Sequence, residues 1–148
     1  MERLSLSYHM ESVEHMFLPV HINDSHWGIA VFSVKEKTVF FDDGYHCPIP
    51  EDLKRNSEEI LTIIHETTGA GAYLPATWNN VRRFRVPMPT QPRYAEKTPH
   101  GCGSCGVAVI CTARDICNGI LERYSWSYAD APRLRAELMV EILDLNRK

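Results

Sequence analysis

The chain has 148 residues, 44% hydrophobic and 24% charged, with a formal net charge of -3 at pH 7. That suits one globular domain with a single core and gives no basic footprint for nucleic acid. No apolar run is long enough to span a bilayer, and the N-terminus lacks the charged-then-apolar pattern of a secretory signal.

Met1 to Glu14 is weakly patterned and reads as a lead-in. Phe17 to Ile22 reads as a short strand, and Pro19 places it at a sheet edge or a strand start. Asn23-Asp24-Ser25 is a turn. Trp27 to Val34 forms a near-continuous apolar strand, Lys35-Glu36-Lys37 a charged hairpin turn, and Thr38 to Asp42 the return strand. Pro50 and Glu51 open a helix with Leu53, Ile60, Leu61 and Ile64 on one face and Gly69 as its C-cap. Thr77 to Val86 contains a further strand, in which Arg82-Arg83-Phe84-Arg85 reads as a solvated face. Met88 to Gly103 is a proline-rich loop. Cys105 to Leu121 reads as a buried helix, apolar on most sides. Asp130 is placed to cap a last helix whose stripe is Leu134, Leu138, Ile142 and Leu145. The order predicts an α+β domain with an antiparallel-rich sheet.

Five cysteines, Cys47, Cys102, Cys105, Cys111 and Cys117, make an odd count. Without a secretory signal they point to reduced thiols inside the cell, in the nucleus or the cytoplasm. Cys105 is distinctive. It follows Gly101-Cys102-Gly103-Ser104 and opens the apolar helix, where free N–H groups and the helix dipole favour a thiolate. A distant histidine could serve it as general base. His26 heads the apolar strand. Asp42 lies sixteen residues further on, at the end of the hairpin return, where the ladder brings it beside His26. A register shift of one residue would put Asp43 there instead. Asp42 reads equally as a hairpin-end residue making a turn with Asp43-Gly44.

Cys102 and Cys105 also form a C-x-x-C with His100 nearby, which leaves a zinc knuckle or a redox pair open. Cys111 and Cys117 read as small core residues. Otherwise the sequence asks for no cofactor and no metal.

These segments together resemble the Ulp/SENP family of ubiquitin-like-protein-specific cysteine proteases. Phe17-Leu18-Pro19-Val20-His21 and His26-Trp27 look like that family's strand leading into its catalytic His-Trp. Thr38-Val39-Phe40-Phe41-Asp42 looks like the return ending in its catalytic Asp. Val86-Pro87-Met88-Pro89-Thr90-Gln91 looks like the segment with its oxyanion Gln, and Ser104-Cys105-Gly106-Val107 like its nucleophile motif. Asp130 to Leu145 resembles the closing helix. Three departures stand out. Ser104 replaces the family's Asp before the nucleophile. Gln91 lies fourteen residues before Cys105 rather than about six. Only 25 residues precede His26, so an N-terminally short core is expected.

The resemblance implies a papain-like core: a mixed, antiparallel-rich sheet packed on a central helix bearing the nucleophile, with residues 1–148 as a single catalytic domain. It implies a thiol protease or isopeptidase with Cys105, His26 and Asp42 as triad and Gln91 as oxyanion donor. Trp27 would cover the substrate's Gly-Gly tail, although it reads equally as a core aromatic. The partner implied is a ubiquitin-like protein, SUMO-like first, with its conjugates, and neither nucleic acid nor a membrane. An acyltransferase using the same site and a non-catalytic module binding a ubiquitin-like protein are the alternatives.

Overall fold

The computed structural model describes residues 2–23, 25–92, 104–119 and 122–147. Its elements run α1 (Glu2–Glu11), β1 (His15–Ile22), β2 (His26–Ser33), β3 (Thr38–Asp42), α2 (Glu51–Thr68), β4 (Arg82–Arg83), α3 (Cys105–Cys117) and α4 (Ala131–Leu145). The four strands form one sheet in the order β1-β2-β3-β4. β1–β2 and β2–β3 are antiparallel, and β4 lies parallel to β3. The fold is the expected α+β type with a mixed, antiparallel-rich sheet.

Alternation along the strands gives the sheet two apolar faces. Ile29 and Val31 of β2 pack with Val107, Ala108 and Cys111 of α3, with Trp126 and Tyr128, and with Leu134 of α4. Ala30 and Phe32 of β2, with Val39 and Phe41 of β3, pack with Leu53 and Leu61 of α2 and with Tyr73. Burying both faces makes β2 the centre of the molecule, as its near-continuous apolar run requires. Pro19 sits on β1, the edge strand, where a missing N–H is tolerated.

Gly69 ends α2 in the left-handed conformation at φ 74°, its N–H donating to His65 O at 2.8 Å. Four expectations change. The lead-in is helical over Glu2–Glu11. The strand expected within Thr77–Val86 shrinks to Arg82–Arg83, preceded by two 3₁₀ turns at Gly71–Tyr73 and Pro75–Thr77. α3 stops at Cys117. The buried stripe of α4 fades after one turn: Leu134 is buried, but Ile142 and Leu145 are 56% and 70% exposed. Leu138 still packs partly against the core and Glu141 pairs with Arg114 of α3 at 2.8 Å, but the apolar stripe beyond them faces outward. Asp130 precedes α4 but caps the turn before it, accepting from Ser127 N–H at 3.1 Å and Ser127 Oγ at 3.0 Å. No described helix is long and apolar enough to cross a membrane.

Candidate active site

Cys105 is the first residue of α3 and is buried. Residues 93–103 precede it, so Cys102, His100 and the C-x-x-C pairing lie outside the described residues. Among the described residues no cluster of three or more His, Cys, Asp or Glu could hold a metal ion. Cys111 sits deeper in α3, where burial pushes its thiol pKa up, with Asp115 and its other acidic neighbours adding to the shift against the opposing charge of Arg114. It is a core residue.

His26 opens β2 and is buried. Its Nε2 lies 2.7 Å from the main-chain carbonyl of Asp43 and 3.7 Å from Asp43 Oδ2. A carbonyl only accepts, so Nε2 is the donor here, and Nδ1 is the ring nitrogen left to act as a base. The Tyr45 ring lies against the imidazole, with centroids 4.4 Å apart.

The carboxylate beside His26 is therefore that of Asp43, and this corrects the placement of Asp42. Four residues, 34–37, separate the paired ends Ser33 and Thr38, so Asp42 pairs with Ile29. Ile29 points to the α3 face, whereas His26, three residues earlier, points to the opposite one. Asp43 follows Asp42 and shares the His26 side. Gly28 allows the approach: a Cβ there would lie 3.0 Å from the Asp42 carbonyl oxygen, the Asp43 Cβ and the Phe41 ring. Asp43 Oδ1 accepts the Cys47 N–H at 3.1 Å, which fixes the carboxylate plane.

Asp42 is a structural knot instead. Its Oδ2 accepts the Met88 N–H at 2.7 Å, and its Oδ1 accepts the Asp43 N–H at 2.8 Å and meets His46 Nδ1 at 3.1 Å. His46 Nε2 reaches Thr90 Oγ1 at 3.0 Å. Gln91 is buried beside this loop, its N–H donating to the Gly44 carbonyl at 2.8 Å. Gln91 thus stands by the acid loop despite its distance in sequence from Cys105.

Trp27 is 41% exposed and lies against His21, ring centroids 4.6 Å apart, across the β1–β2 ladder. It is a surface indole next to His26 and not a core aromatic.

No hydrogen bond joins Cys105 to His26 among the described residues. One side chain feels both ends of the site. Tyr128 is buried, and its phenol pKa is pushed up by burial first, then by Cys105, Asp42, Asp43 and Tyr45. Tyr128 and Tyr45 were missed in the sequence because nothing local marks them. Tyr45 was legible in principle, since continuing the observed register sets it opposite His26. Asp115 was missed as well: buried in α3, it accepts from Ser125 N and Oγ at 2.7 and 2.6 Å and ties the α3–α4 connection to the helix. A cavity of about 370 Å³ lies apart from the site, between β1–β3 and the end of α3, with Glu14, Phe40, Phe84 and Tyr124 among its walls.

No protein-family model and no curated protein matches the chain. Among solved structures, the SUMO protease Ulp1 with its catalytic cysteine oxidised to a sulfonic acid aligns at a TM-score of 0.60 and 19% identity, covering 85% of this chain and 51% of that one. The C-terminal Ulp1 protease domain in complex with Smt3, the yeast orthologue of SUMO, aligns at 0.55 and 20%, covering 85% and 50%. The fold is of the Ulp/SENP cysteine-protease type. The chain spans about half the length of the Ulp1 chains it matches. Within this Ulp-type fold, the strand that opens with His26 and the helix that opens with Cys105 are the two elements on which the sequence motifs were read.

Proposed function

We propose that the chain is a thiol hydrolase that cleaves after the C-terminal Gly-Gly of a ubiquitin-like protein, SUMO-like first. The observation that carries this is the His26–Asp43 contact inside a Ulp-type fold. It fixes the imidazole with Nδ1 as the free base, while Cys105 begins a helix. In this reading Nδ1 takes the Cys105 thiol proton, and Sγ attacks the carbonyl carbon of the terminal glycine. The protonated ring then gives its proton to the departing amine, leaving a thioester. A water molecule, deprotonated by Nδ1, hydrolyses that thioester and frees the thiol. Asp43 holds the ring and supports its charged form. The Gln91 side-chain N–H and the Cys105 backbone N–H would receive the oxyanion; losing one such donor costs about 10²–10³ in rate. Trp27, exposed beside His26, would form one wall of a slot suited to residues without side chains.

The test is incubation with propargyl or vinyl-sulfone probes of SUMO and of ubiquitin, read by mass spectrometry. A single adduct on Cys105 supports the reading and names the modifier. Tight binding without an adduct would identify a non-catalytic binding module. Kinetics on matched Gly-Gly and Ala-Ala fluorogenic substrates add the specificity: equal kcat/KM for the two would remove the Gly-Gly slot and leave a generic thiol protease.

A further inference from the structure

Three buried polar atoms around the acid loop have no hydrogen bond among the described residues: Asp43 Oδ2, Gln91 Oε1 and the Tyr128 hydroxyl. All three belong to residues gathered on Gly44. Asp43 precedes it in the chain. Gln91 N–H donates to its carbonyl at 2.8 Å. A Cβ on Gly44 would fall on the Tyr128 hydroxyl, with the ring Cζ 3.3 Å away and the Pro89 carbonyl oxygen 3.5 Å away. Gly44 also has a φ of 76°, the left-handed region, so conformation and space both favour glycine here. The hydroxyl occupies the volume that this glycine leaves open.

The chemistry of the three atoms is complementary. An ionised carboxylate oxygen and an amide oxygen only accept, whereas the hydroxyl donates. The Tyr128 ring is held by apolar neighbours, edge-on to Trp126 at 5.1 Å between centroids and in one cluster with Met88. A phenylalanine would fill that place without burying an unpaired donor, which is costly. Of the two acceptors, the Asp43 carboxylate is the stronger, because its bond would be charge-assisted. It is also the group that faces His26.

We propose that Tyr128 is a positioning residue of the thiol site, its hydroxyl donating to Asp43 Oδ2 in the working enzyme and holding that carboxylate toward His26 Nε2. This rests on the reading of Cys105 and His26 as a thiol site. Unliganded sites commonly show such bonds long and tighten them with substrate bound. The titratable groups whose charges act on the hydroxyl are Cys105 of α3 and Asp42, Asp43 and Tyr45 at the end of β3 and just after it. Their charges, with burial, keep the phenol protonated, so it stays a donor while the thiolate–imidazolium pair forms.

The experiment follows the rate at which a SUMO vinyl-sulfone probe labels Cys105, by mass spectrometry, in four proteins: wild type, Tyr128→Phe, Asp43→Ala and the double variant. Thermal melts accompany each. Should Asp43→Ala fail to fold, the isosteric Asp43→Asn replaces it. Tyr128→Phe is expected to slow labelling about tenfold, the scale of one lost hydrogen bond to a charged group. On a Gly-Gly substrate it should lower kcat and leave KM unchanged. In the Asp43→Ala background the same substitution should cost nothing further, since Tyr128 acts through that carboxylate. Equal labelling of wild type and Tyr128→Phe, or an undiminished loss without Asp43, overturns the proposal alone. A wild type that labels nowhere on Cys105 overturns the thiol-site reading, and this proposal with it.

Discussion

The two apolar faces of the sheet carry the same kinds of aromatic side chain and treat them differently. On the α2 face, Tyr73 donates its hydroxyl to the Met10 carbonyl at 2.9 Å, and Trp78 donates its indole N–H to the Ala72 carbonyl at 2.8 Å. On the α3 face, Tyr128 and Trp126 are buried with the hydroxyl and the indole N–H unpaired among the described residues. On the α2 face both of these ring donors are satisfied, as is usual, and the Ser57 hydroxyl of α2 is the buried polar tip left without a partner there among the described residues. The other face, with Cys105 at its margin, holds donors in reserve. The unpaired ring donors thus lie on the face that Cys105 borders, and substitutions on the two faces should fail in different ways.

The largest separation should come from the nucleophile. Cys105→Ala is expected to abolish hydrolysis and probe labelling, with an unfolding midpoint close to wild type. Residual wild-type turnover would break the contrast at once. Asp43→Asn comes next, with a loss in kcat of about 10²–10⁴, as for an acid that orients a histidine. Asp42→Asn should cost less in kcat and more in stability, because its carboxylate ties Met88, Asp43 and His46 together. Steady-state kinetics beside urea unfolding separates the two effects, and a larger kcat loss for Asp42→Asn would return the acid role to Asp42.

On the α2 face, Phe32→Ala removes a ring that is 1% exposed and packs edge-on to Trp78. It should cost about 3–5 kcal/mol in denaturant unfolding. The smallest effect sharpens the comparison most. Gly44→Ala should destabilise by about 1–3 kcal/mol, because the new methyl meets the Tyr128 hydroxyl. Adding Tyr128→Phe should recover part of that loss, since the ring carbon then stands at a tight but tolerable 3.3 Å from the Cβ. Strictly additive melting shifts would show that the hydroxyl does not occupy that space.

The hairpin, the Gly69 cap and the start of α3 at Cys105 were legible because each is written locally: an apolar run broken by charged turn residues, a glycine after a periodic stripe, glycine and serine before small apolar residues. The choice between Asp42 and Asp43 was not. It turns on whether the hairpin loop takes three residues or four, and a change of one sends a side chain to the other face of the sheet. The extent of α4's stripe was hidden for another reason. Periodicity marks which residues share a face, but Leu138, Ile142 and Leu145 are buried only as far as a partner element reaches. Tyr128 was out of range altogether, since its place at the site depends on a contact with Gly44, far away in sequence.

The bonds between the acid loop and the segment after β4 have a consequence for motion. Met88 N–H to Asp42 Oδ2, Gln91 N–H to the Gly44 carbonyl and His46 Nε2 to Thr90 Oγ1 join residues 42–46 to residues 88–91 at three points. Neither stretch can swing out without releasing the other, so the two form one cooperative opening unit. Amide protons of Met88 and Gln91 should then exchange with solvent at matched rates and respond together to any change at His46. In the proposed enzyme, Asp43 and Gln91 would therefore meet substrate as a single rigid jaw.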